Sequence, residues 1–249
     1  MNRLYKKAFA TLAVIFIIGT AHMSYASEDK HWSYSGDDGP HKWGDLSADY
    51  LMCSAGRNQS PIDLTGAVEA DLIELVMDYP NRGLVGEVNN GHTIQENLKA
   101  GNFVTIRGQQ YEARQFHFHS PSEHRIDGES FPLEVHVVHT NEEGHIAVLG
   151  VMFDGGEENS MLDQLNGFRR PGVAPYTGPV DYNTIITSPD EYYTYNGSLT
   201  TPPCSEGVLW VVLKNPISAS REQIDRFHEL MGADTNRPIQ PRNARIILE

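Results

Sequence analysis

The sequence predicts a mainly β fold with a little helix, α+β in class, and three observations carry that expectation. Short runs of β-branched and aromatic residues recur at 72–78, 84–89, 103–107, 113–119, 133–139, 145–153, 191–195 and 207–213. Turn pairs such as Asn90-Gly91, Asp127-Gly128, Gly155-Gly156 and Asn196-Gly197 fall among them. Helix signals are few, and no repeat, low-complexity stretch or linker divides the chain, so one domain over 27–249 is expected.

Taken in order, residues 1–26 read as a leader. Arg3, Lys6 and Lys7 give a positive start, 8–21 form an apolar run, and small residues surround Ala26. That is the layout of a secretory signal peptide cleaved near Ala26, which implies a periplasmic or secreted product. Its apolar core is shorter than the roughly 20 residues that span a bilayer, so no membrane attachment is expected after processing. Residues 28–62 show little periodicity and read as an irregular segment anchored by Trp32, Tyr34 and Trp43. After the β-prone runs, Ser220 and Gln223 form a capping box ahead of an apolar stripe at Ile224, Phe227 and Met231. A shorter helix is expected over 160–166.

Charge excludes some partners. The chain carries a net −14, and removal of 1–26 takes away three basic residues and no acidic ones, giving −17. Such a chain is a poor ligand for nucleic acid or an anionic membrane surface. The only cysteines are Cys53 and Cys204. In an oxidising compartment they are expected to pair, closing a loop for which chain entropy gives up to roughly 5 kcal/mol.

The chemistry concentrates in one stretch. Six of the eleven histidines fall between His117 and His145. Alternate residues of a strand share a face, so Gln115, His117 and His119 point one way and Phe116 and Phe118 the other. On the next run Glu134, His136 and Val138 share a face opposite Leu133, Val135, Val137 and His139. Three imidazoles from two strands fill three corners of a tetrahedron and leave the fourth open, the ligand set of a catalytic zinc. Gln115 and Glu134 each stand two residues from a ligand on its own face. They suit the outer role of accepting the ligand's second ring N–H. Parity assigns His139 to the core, and His124 reads as structural. A cupin-type site competes on this stretch, with Glu123 as a fourth ligand to iron or manganese and oxidative or isomerising chemistry.

Segments elsewhere bear on that choice. HWSYSG (31–36), Pro40 with Trp43, NQSPID (58–63), NNGH (89–92), QFHFH (115–119), SEH (122–124), EVHVVH (134–139) and GSLTTPP (197–203) occur in this order. Together they closely resemble the α-class carbonic anhydrases, from about residue 31 to the C-terminus. The three residues between His119 and Glu123, the leader and the cysteine pair resemble the compact bacterial branch. A non-catalytic binding module on the same fold is disfavoured, because such relatives usually lack one of the three histidines.

The resemblance implies a large twisted sheet of about ten mostly antiparallel strands, with short peripheral helices and the site in a cone-shaped cleft. It implies one Zn2+ on His117, His119 and His136, and attack of zinc-bound hydroxide on carbon dioxide to give bicarbonate. Thr200 becomes the residue that orients the nucleophile, donating to Glu123, which is then no ligand. The substrate wall becomes Val138, Val148, Leu199, Thr200, Thr201, Val208 and Trp210. His92 becomes the proton shuttle, with Tyr34, Asn90 and Gln95 supporting a water chain. Sulfonamides and anions are the expected inhibitors. Bacterial relatives often dimerise, which makes a homodimer a further expectation that nothing in the sequence itself demonstrates.

Overall fold

The computed structural model describes residues 30–80, 83–169, 172, 176 and 178–249; the expected leader lies outside them. Among the described residues the β-prone runs become β1 (Asp63–Leu64), β2 (Val76–Asp78), β3 (Leu84–Asn89), β4 (Ile94–Leu98), β5 (Phe103–Ile106) and β6 (Gln109–His119). They continue as β7 (Arg125–Ile126), β8 (Leu133–Thr140), β9 (Ile146–Gly155), β10 (Tyr192–Ser198), β11 (Glu206–Leu213) and β12 (Ile217–Ala219). Ten of these form one mixed sheet in which β10, β11, β9, β8, β6, β4 and β3 lie side by side. The centre is antiparallel, while β11 and β12 join β9 in parallel. β5 pairs the first half of β6 and β2 pairs β5.

The strand β4 is absent from the sequence expectation. Its alternation is real, with positions 94, 96 and 98 buried, but a glutamate at 96 interrupts the apolar side. Residues 72–75 lie outside the sheet, and the strand begins only at Val76.

Strand β6 carries a bulge. Its pairing with β8 slips between Ala113 and Gln115, which leaves Arg114 as an extra residue. Tyr111 and Ala113 are therefore buried on the same side as Phe116 and Phe118, although their parity differs. After the bulge, Gln115, His117 and His119 face the cleft.

The core lies on both sides of the sheet. On one side Phe116, Phe118 and Phe153 pack with Phe168 and Phe227, the last two rings stacked 5.0 Å apart. Full burial of each such side chain stabilises by about 1.5–3 kcal/mol. Phe227 belongs to the expected helix, Arg221–Met231, with Ser220 and Gln223 capping each other reciprocally. The helix stops at Gly232, whose φ of 72° is the left-handed conformation that glycine adopts without penalty. The expected helix over 160–166 is instead two single turns, Leu162–Gln164 and Asn166–Phe168. Leu165 between them is extended and buried, which breaks the run. On the other side of the sheet Ile62, Leu64, Val148, Met152, Tyr195 and Trp210 form a second cluster. A third joins Trp43 and Tyr50 to the disulfide between Cys53 and Cys204, whose Cα atoms are 5.0 Å apart.

Candidate metal centre

β6 and β8 pair so that His117 stands directly opposite His136 and His119 opposite Glu134. Ring centres of the three histidines are 4.6–5.3 Å apart. Each ring has one nitrogen tied down on its outer side. His117 Nδ1 donates to Gln115 Oε1 at 2.8 Å, His119 Nδ1 to the Thr235 carbonyl at 2.5 Å, and His136 Nε2 to Glu134 Oε1 at 2.8 Å. Two Nε2 atoms and one Nδ1 are thereby left facing inward, with the ligand atoms within 4.8 Å of one another. The His119 Nε2 is buried and has no hydrogen-bond partner among the described residues.

At His117 and His119 electrostatics suit ligation, which requires neutral imidazole. Burial, reinforced by the neighbouring rings, holds His117 well below the ordinary histidine value, and burial likewise lowers His119. Burial pushes His136 down too, but the charge and hydrogen bond of Glu134 outweigh it and raise the ring. Three inward nitrogens, oriented by an amide, a carbonyl and a carboxylate, make a donor set that fits zinc.

Glu134 is the hub of the support. Its Oε1 also accepts from His124 Nδ1 at 2.8 Å, and its Oε2 accepts the backbone N–H groups of Glu123 and His124. His124 Nε2 then accepts from the Tyr195 hydroxyl at 2.7 Å, and Tyr195 meets Ser60 Oγ at 2.9 Å. His124, Glu134 and His136 are close enough to suggest a second metal group. Within that group His124 Nδ1, Glu134 Oε1 and His136 Nε2 are spent on hydrogen bonds to one another, so the three form a scaffold. His139 lies on the core face as expected, bonded to the Tyr79 hydroxyl.

The cleft holds a cavity of about 240 Å³ with two unlike walls. Val138, Val148, Leu199 and Trp210 form the apolar one, and Val138 and Trp210 both pair with Val148 across the sheet. Thr200 and Thr201 also line it. Val208 does not line the cavity: it pairs with Gly197 further along β11 and is buried in the cluster behind. The polar wall carries Tyr34, Asn90, His92, Gln95 and Gln115. Asn90 Oδ1 accepts the N–H groups of His92 and Thr93, so this side chain shapes the turn that presents His92. The His92 ring stacks on Trp32 at 3.6 Å, a contact with no signal in the sequence. Burial and the nearby His31 lower its pKa.

Thr200 and Glu123 meet the expectation only in part. Glu123 Oε1 accepts from Arg237 N–H at 2.8 Å, while Oε2 is buried without a hydrogen-bond partner, so no such bond joins it to Thr200. The oxygen faces the imidazoles instead, 3.5 Å from His119 Nε2 and 3.9 Å from His136 Nδ1. Arg237 is itself missed by sequence reasoning. Its guanidinium holds Gln59 and the Ser60 and Cys53 carbonyls, and Gln59 in turn holds the Cys204 carbonyl. The loop bearing Thr200 is thus tied down on its far side.

The sequence model of the eukaryotic-type carbonic anhydrases matches residues 38–249. The chain belongs to the eukaryotic-type, or α, carbonic anhydrase family. A carbonic anhydrase of Neisseria gonorrhoeae is 40% identical over 241 residues, 95% of each chain. Among solved structures, the α-carbonic anhydrase of Thermovibrio ammonificans in complex with sulfanilamide superposes with a TM-score of 0.83 at 44% identity, covering 89% of this chain and 100% of that one. The carbonic anhydrase Cah3 of Chlamydomonas reinhardtii, in complex with acetazolamide, gives 0.75 at 34%, covering 88% and 98%. Its enzyme class is therefore carbonic anhydrase, and the cupin alternative falls away. No helix among the described residues is long and apolar enough to cross a membrane.

Proposed function

We propose that His117, His119 and His136 hold one Zn2+ and that the chain catalyses the reversible hydration of carbon dioxide to bicarbonate and a proton. The carrying observation is that each imidazole turns one nitrogen to a common point while a separate acceptor fixes the other. Zinc at that point supplies a Lewis acid that makes a nucleophile available from water near neutral pH. The substrate has no dipole to grip, so the apolar wall of Val138, Val148, Leu199 and Trp210 receives it.

Thr200 would orient the attack. By donating its hydroxyl hydrogen to the free Oε2 of Glu123, it must accept from the reacting water, which aims that water's lone pair at the carbon. The Thr200 backbone N–H would anchor a bicarbonate oxygen, or the sulfonamides and anions expected as inhibitors, with Thr201 beside it. His92 would carry the released proton to buffer, past Tyr34, Asn90 and Gln95. Without such a relay, proton loss from an acid of pKa near 7 limits turnover to about 10³ s⁻¹, taking a recombination rate of roughly 10¹⁰ M⁻¹s⁻¹. The leader at 1–26 would send the single-domain chain to the periplasm or outside the cell, in keeping with its disulfide.

Metal analysis together with stopped-flow hydration tests the reading. One zinc per chain and sulfonamide-sensitive hydration are expected; iron without hydration would sink it. His92→Ala should slow turnover in weak buffer and recover with added imidazole, and indifference to buffer would remove His92 from the relay.

A further inference from the structure

Strand β4 turns Ile94, Glu96 and Leu98 to its buried side. A carboxyl between two aliphatic side chains is costly unless something pairs with it. Glu96 is 1% exposed, and its Oε2 has no hydrogen-bond partner among the described residues. Directly opposite on the edge strand β3 stands a second carboxylate, Glu87. Side chains so placed have Cβ atoms about 4.5–5.5 Å apart, and like charges there repel. Burial, and then the hydrogen bond and charge of Glu87, push the Glu96 carboxyl up to about 8.

Both glutamates border a cavity of about 440 Å³ that is separate from the metal centre. Across it lies Gln164, from the turn Leu162–Gln164, and its Oε1 is also buried without a partner. Asn166 and Lys99 also border it, and the Lys99 side chain runs over Gly83. Three separate elements therefore bring oxygen acceptors to one space, and the two atoms there without a partner among the described residues are both acceptors.

We propose that this cavity binds a divalent cation of the calcium type through the carboxylates of Glu87 and Glu96 and Oε1 of Gln164. Hard oxygen donors select calcium or magnesium over zinc. An irregular, roomy site with mixed carboxylate and amide oxygens suits calcium, which accepts 6–8 ligands, waters included, whereas magnesium demands a near-ideal octahedron. The site would brace the β3–β4 hairpin, whose turn presents His92.

The test is calorimetric titration of the protein as purified, freed of calcium with a chelator and desalted, using calcium chloride alone, alongside thermal melting. Saturable binding of one Ca2+ per chain and a raised melting midpoint are expected. Glu96→Gln keeps the shape and removes the charge, and should weaken binding roughly tenfold or more. Glu87→Gln, at an exposed position, should also weaken it and guards against a folding failure in the first variant. Absence of saturable binding would overturn the proposal. So would binding by both variants as tight as by the unaltered protein, which would place calcium elsewhere on the acidic surface. A melting midpoint that follows pH through Glu96 but ignores calcium would show the two carboxyls merely sharing a proton, and would also overturn it.

Discussion

Two glutamates are buried in the same sheet, Glu134 on β8 at 0% exposure and Glu96 on β4 at 1%. Around Glu134 two imidazoles and two backbone N–H groups converge on one carboxylate. Burial pushes its pKa up, but the charges and hydrogen bonds of His124 and His136 win and hold it well below the ordinary range. Around Glu96 there is another carboxylate, and burial wins. Depth therefore does not decide whether an acid stays ionised; the count of donors aimed at it does.

The comparison breaks most visibly if Glu134 loses its oxygens. Glu134→Val leaves His124, His136 and two N–H groups unsatisfied in the interior, and should destabilise by about 3–5 kcal/mol in chemical denaturation. A loss below about 1 kcal/mol would mean that water replaces the carboxylate.

Stability against pH sharpens it. Glu96 has its pKa raised from 4.5 to about 8, so the folded state favours its protonated form. Its contribution is complete below 4.5, declines as pH rises, and is gone above about 8. Wild type minus Glu96→Gln, melted in chelator across that window, should show this slope, on the order of a few kcal/mol in total. A flat difference would mean that Glu96 is not titrating there. The smallest effect is expected from Tyr195→Phe. It deletes one hydroxyl between His124 and Ser60 and should cost about 1–2 kcal/mol, with zinc content retained.

Much of the candidate metal centre is legible in the sequence because strand parity converts spacing into direction. His117, His119 and His136, their companions Gln115 and Glu134, and the dismissal of His139 all follow from it. The carbonyl of Thr235 and the N–H of Arg237 are not legible, since a backbone group leaves no mark on residue identity. β4 is hidden for the reason that makes it interesting: Glu96 spoils the apolar alternation that announces a strand. Val208 fails differently, because sharing a strand face with Trp210 does not bring both as far as the cavity.

The slip at Arg114 has a consequence for how this chain tolerates change in length. The strand holds one spare residue immediately upstream of the histidines. Deleting Arg114 would restore regular alternation, with Ala113 still facing inward and Gln115 outward. A deletion anywhere from 115 to 118 would instead turn the residues before it to the opposite side, or carry His119 into the phenylalanine layer. The same strand is thus forgiving of a lost codon at one position and intolerant of it at the next.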